Sequence, residues 1–142
     1  MFTTTHLHPM LVHFPIALLM LGFLAAVLAL IYKKETCFSV AAFYILVMSA
    51  LAALAAYLTG EFFTSDMSGA ADEVKEVHEL FASITFYSVL VNAALSIYLK
   101  IRKNENKTLQ WIVFALYCIS AIAVSITGFY GGVLVYQYMM PL

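Results

Sequence analysis

Apolar residues run along this chain in four long blocks, at about 9–32, 38–59, 78–99 and 109–136, separated by three short polar stretches. The blocks are rich in Ala and Leu, do not alternate with period two and are not joined by hairpin dipeptides, so the pattern predicts helices and not strands. The block from His13 to Lys33 is about twenty residues long, which at ~1.5 Å per residue spans ~30 Å, one hydrocarbon thickness. The predicted fold class is all-α: an integral membrane four-helix bundle, a single domain over 1–142, with helices at about 9–32, 38–59, 70–101 and 109–136.

The third helix is extended backward from its apolar block because Ser68 can serve as an N-cap, with Asp72 and Glu73 in the first turn where carboxylates favour the helix dipole. From there Val74, Val77, His78, Phe81, Thr85 and Ser88 recur at helical spacing, which puts His78 on a stripe able to face the bundle. In the first helix Pro9 suits a first-turn position. Pro15 removes the bond to the carbonyl of Leu11 and is expected to bend or loosen the helix beside His13. No basic stretch precedes this block, and it is too long for the core of a signal peptide, so it is expected to be a mature helix.

Composition agrees with the pattern. Of 142 residues 64% are hydrophobic and 11% charged, and the mean hydropathy is +0.95. Such a chain cannot cover a water-facing surface. The formal net charge of −1 hides a separation of sign. Lys33 and Lys34 follow the first helix, and Lys100, Arg102, Lys103 and Lys107 lie between the third and fourth. The middle loop carries Glu61, Asp66, Asp72, Glu73, Glu76 and Glu79 against Lys75. By the positive-inside rule the basic turns face the cytoplasm and both termini lie outside. The basic residues are therefore topology signals, and no nucleic-acid partner is implied. Cys37 and Cys118 are placed too differently to predict a disulfide, and without Cys-x-x-Cys-His a covalently attached haem is excluded.

The two halves of the chain resemble each other. His13-Phe-Pro-Ile-Ala17 and His78-Glu-Leu-Phe-Ala82 each open an apolar block that closes on Tyr and Lys. Ala53-Leu-Ala-Ala-Tyr-Leu-Thr-Gly60 then matches Ala121-Ile-Ala-Val-Ser-Ile-Thr-Gly128. The pattern favours duplication, with two pseudo-repeated helical hairpins related by an axis along the membrane normal; the other reading is the shared composition of Ala- and Leu-rich helices.

Chemistry concentrates at the outer end, where His6, His8, His13 and His78 gather with Gly60, Gly128, Gly131 and Gly132. Ionisable groups within a membrane span are costly and point to function. Two imidazoles at equal depth suit axial ligation of a b-type haem, with His13 and His78 as the ligands and His8 as a substitute or supporting donor. Gly60, Gly128 and Gly131 permit close approach of a flat cofactor or of another helix. Phe14, Tyr57, Phe81, Phe129 and Tyr130 could supply its walls. Other readings stay open. The histidines can be interfacial groups reaching the headgroups, the aromatic residues an ordinary belt, and the glycines helix-packing positions. Met10, Met67, Met139 and Met140 admit a copper(I) site, and zinc is a further metal reading. Ala82 occupies the second ligand position of a His-Glu-x-x-His motif, so a zincin site is ruled out. Asn92, in mid-helix, is expected to be an interhelical hydrogen-bond residue.

The stretch from His8 to Leu18, HPMLVHFPIAL, resembles the opening motif of the domain of unknown function 2231 family of four-helix bacterial membrane domains. Thr59-Gly60, His78 and the segment from Thr127 to Tyr136 follow in the family's order. Some members are joined to Rieske-type or cytochrome c-type domains, so the resemblance implies a redox setting in a bacterial inner membrane. Here Gln137-Tyr138-Met139-Met140 replaces a basic residue and a histidine, and Glu61 stands one position early for the family's acidic residue. That departure argues against a two-haem site. The expected function is a membrane-embedded, cytochrome b-like electron-transfer subunit with a redox partner on the periplasmic side, alone or in a homo- or hetero-oligomer. The alternatives are a cofactor-free scaffold or accessory subunit and a periplasm-facing copper or zinc site.

Overall fold

The computed structural model describes residues 7–64 and 67–138; His6, Asp66, Met139 and Met140 lie outside them. Every regular element among the described residues is an α-helix: α1 (Leu7–Leu11), α2 (His13–Ile31), α3 (Thr36–Phe63), α4 (Ala70–Ile101) and α5 (Lys107–Tyr136). Four spans are long and apolar enough to cross a membrane, His8–Ile31, Thr36–Phe62, Ala70–Ile101 and Lys107–Tyr136. The first joins α1 and α2 across an interruption at Val12. Pro15 accounts for that break. It has no N–H for the Leu11 carbonyl, and the next bond, Ile16 N–H to Val12 O, is stretched to 3.4 Å.

Helix ends differ from expectation by about a turn. The α4 N-cap is Gly69 and not Ser68: its φ of +65° turns the chain, and its carbonyl accepts from Asp72 and Glu73. Helix α5 starts two residues early because the Asn106 side chain accepts from the amides of Thr108 and Leu109. Helix α3 runs on through Gly60, whose carbonyl takes the Thr64 hydroxyl at 2.6 Å.

Helix α2 packs chiefly on α3 and α4 on α5, forming two hairpins that close against each other through α3–α4 and α2–α5 contacts. The core is built of Leu19, Leu46, Val89, Tyr117 and Val124 with Ala50, Ala53 and Ala93, small residues that let the backbones approach. The Tyr117 hydroxyl crosses from α5 to donate to the Ala42 carbonyl of α3 at 3.2 Å, passing directly under Gly22 of α2. Large apolar side chains such as Leu21, Leu24, Met48, Leu51, Val91 and Ile122 point outward, the arrangement a bilayer requires. At the basic end the Lys100 ammonium sits over the rings of Phe43 and Tyr44, 3.8 and 4.3 Å from their centroids. Cys37 is exposed beside the α2–α3 turn and Cys118 lies within α5, and both are free thiols.

Candidate histidine pocket

At the acidic end the four spans part around a cavity of ≈ 610 Å³. His8 reaches it from α1 and His78 from α4, and each ring is held in the same way by the second long helix of its hairpin. His8 Nδ1 lies 3.1 Å from the Ala56 carbonyl of α3; His78 Nδ1 lies 3.0 Å from the Thr127 carbonyl of α5. A carbonyl only accepts, so Nδ1 carries the proton in both rings and Nε2 keeps its lone pair. Four residues further along each helix stands a glycine. A Cβ on Gly60 would come 2.9 Å from His8 Cε1, and one on Gly131 would come 3.1 Å from His78 Cε1. Both approaches are tighter than ordinary side-chain contacts, so each ring would have to shift if its glycine gained a Cβ.

The structure therefore pairs His8, not His13, with His78. The sequence separations between ring and carbonyl are 48 and 49 residues. His8 to His78 and Gly60 to Gly131 are both displaced by about the same interval along the chain, whereas the alignment of His13 with His78 and of Gly60 with Gly128 needs two different ones. His13 is exposed at the pocket wall, with Nδ1 2.7 Å from the carbonyl of Pro9 in its own span. Gly128 borders the pocket, but a Cβ there would come 3.4 Å from Ile16 Cδ1, an ordinary contact, and a Cβ on Gly132 would meet open space.

Among the aromatic residues expected in the walls, Tyr57 lines the pocket, stacked on Phe86 at 4.5 Å between ring centroids with the planes 11° apart. Phe14 and Phe129 instead point away, 60% and 68% exposed, and neither Phe81 nor Tyr130 borders the cavity. Helices apolar on every side give no sign of which face turns inward. Phe86 is a wall residue that the sequence reading missed; Thr85, on the His78 stripe, and Thr127, in the repeated Thr-Gly motif, line the cavity beside it. Lys75 and Glu79 stand at the rim as an i,i+4 ion pair of 3.5 Å. Among the described residues no three His, Cys, Asp or Glu side chains converge as a metal-binding group, and Met10 is exposed to the surroundings.

No curated protein and no solved structure matches the chain. The model of one family, described as a predicted membrane protein (DUF2231), matches residues 4–141. That span holds all four membrane-crossing helices and the whole histidine pocket, and the chain belongs to the domain of unknown function 2231 family.

Proposed function

We propose that this protein is a membrane-embedded, cytochrome b-like subunit that holds one haem in the pocket at its acidic end, with His8 and His78 as axial ligands. The observation that carries the reading is the duplicated setting of the two rings: Nδ1–H on a helix carbonyl, Cε1 on a glycine one turn away. A carbonyl on Nδ1 is the usual partner of a metal-ligating imidazole, fixing the tautomer and raising the basicity of Nε2. Two protein ligands suffice for a porphyrin, whose own nitrogens fill the other positions, so a pair without a third neighbour suits haem better than a bare copper or zinc ion. The cavity lies within the size range of cofactor sites, and the stacked Tyr57 and Phe86 supply a flat apolar wall.

Haem supplies reversible one-electron exchange. The chain's part is to orient the imidazoles, to keep water from the metal and to set the dielectric around it. We assign the acidic end to the outer face of a bacterial inner membrane, with both termini outside, because the basic turns collect at the other end. A haem at that depth would exchange electrons with a partner on the periplasmic side, which makes the protein a component of a larger redox assembly and not an enzyme by itself.

The test is the optical spectrum of protein purified from cells with ample haem. A Soret band with sharp α and β bands on reduction is expected, lost in His8→Ala and in His78→Ala and kept in His13→Ala. Loss in His13→Ala with retention in His8→Ala would restore the other histidine as ligand. A colourless wild-type protein would overturn the haem reading and leave a scaffold or accessory subunit.

A further inference from the structure

Between the histidine pocket and the basic end, the bundle interior is polar at a depth where membrane helices are ordinarily apolar. Asn92 of α4 is wholly buried, and neither its amide nitrogen nor its oxygen meets a hydrogen-bond partner in the protein. One turn nearer the basic end, the buried Ser96 hydroxyl also has none. Ser96 borders a second cavity of ≈ 280 Å³, walled by Ala42 and Leu46 of α3 and by Gln110, Phe114 and Tyr117 of α5. In the other direction from Asn92, Ser88 Oγ lies 2.8 Å from Ser120 Oγ of α5. Beyond that pair the Thr85 and Thr127 hydroxyls stand 3.5 Å apart, both on the wall of the histidine pocket.

Thr85, Ser88, Asn92 and Ser96 recur at helical spacing, so they form one stripe of α4. Eleven residues at ~1.5 Å carry that stripe ~16 Å along the axis, about half the hydrocarbon thickness. An amide with no partner is costly to bury in a medium that cannot hydrogen-bond, and lipid offers no partner. Asn92 has two N–H donors and an acceptor oxygen to satisfy, and Ser96 adds a hydroxyl. A buried water needs two to four polar partners, and these groups provide them beside a cavity through which it can enter.

We propose that a file of water enters the bundle from the cavity at the basic end, passes Ser96 and ends on Asn92, so that the middle of the bundle is hydrated from that membrane face. The Ser88–Ser120 and Thr85–Thr127 pairs continue the polar line toward the floor of the histidine pocket. The inference goes beyond the haem reading and does not depend on what that pocket binds.

Hydrogen exchange tests it directly, because side-chain amides exchange only where water and its ions reach them. The chain has three asparagines, and Asn104 and Asn106 lie in the loop between α4 and α5 as internal standards. Protein labelled with ¹⁵N-asparagine is placed in phospholipid vesicles, transferred to D₂O and followed by NMR, with Asn92→Leu used to assign the Asn92 signal. The Asn92 amide is expected to exchange within about tenfold of the loop asparagines, and Ser96→Leu, or Ser96→Val if the leucine variant does not fold, to slow it by about tenfold or more while the loop signals keep their rates. An Asn92 signal that persists long after the loop signals have gone means a dry core and overturns the proposal. So does an Asn92 rate unchanged by closing the cavity at Ser96.

Discussion

Gly60 and Gly131 set how near an imidazole can lie to the backbone of α3 and of α5. An added methyl at Gly60 meets the end of a side chain with two torsions, so the ring moves and the helix does not. Replacing a helical glycine by alanine also gains roughly 0.5–1 kcal/mol of helix propensity. Folding stability and ligand binding are therefore driven apart. Gly60→Ala and Gly131→Ala are expected to leave thermal stability unchanged or slightly higher, while haem affinity falls by about tenfold or more as Nδ1 leaves its carbonyl. Haem titration beside a melting curve checks both halves, and an affinity equal to wild type would show that the close approach has no bearing on binding. At this scale the sequence was legible in part. It named His8, His78, Gly60 and Gly131 as site residues, because ionisable and glycine residues stand out in apolar helices. It paired His13 with His78 because matching motifs in apolar blocks align almost equally well at neighbouring offsets, and only the carbonyl that each ring meets fixes the register.

Among elements, α2, α3 and α5 interlock at Tyr117. Its hydroxyl reaches Ala42 of α3 only because Gly22 of α2 has no side chain, and a Cβ there would collide with the hydroxyl and press on Ile45. Gly22→Ala is expected to destabilise the bundle by roughly 1–3 kcal/mol, the range for forced overpacking, and Tyr117→Phe in the same background to recover much of it by removing the obstructing oxygen. Melting temperatures of the two single variants and the double variant in detergent measure this coupling; additive effects would separate the two positions. The existence and length of the four spans were plain from the apolar blocks, since a bilayer fixes both. Their ends were less so. Gly69 caps α4 through a backbone angle that leaves no mark beyond the glycine itself, and Ser68 beside it fits the commoner rule. The inward faces of α2 and α5 were also hidden, as Phe14 and Phe129 show, because lipid and bundle interior are equally apolar.

For the whole molecule, the two hairpins place all basic turns at one end and the histidine pocket at the other. The native Cys37 is exposed at the basic end, so it reports orientation without an added tag. With Cys118 replaced by alanine, a membrane-impermeant maleimide is expected to leave Cys37 unlabelled in intact spheroplasts and to label it in inverted vesicles. The opposite result would place the pocket on the cytoplasmic side. The sign separation that predicts this orientation is a property of the loops and does not depend on which helix faces turn inward.

The Tyr117 crossing also bears on how the protein is made. Helices α2 and α3 reach the membrane before α4 and α5, and the second hairpin arrives with a phenol whose acceptor, the Ala42 carbonyl, belongs to the first. In lipid that hydroxyl has no other partner of equal quality. The late hairpin thus completes this hydrogen bond only on packing against its predecessor, which favours the pairing of the two hairpins.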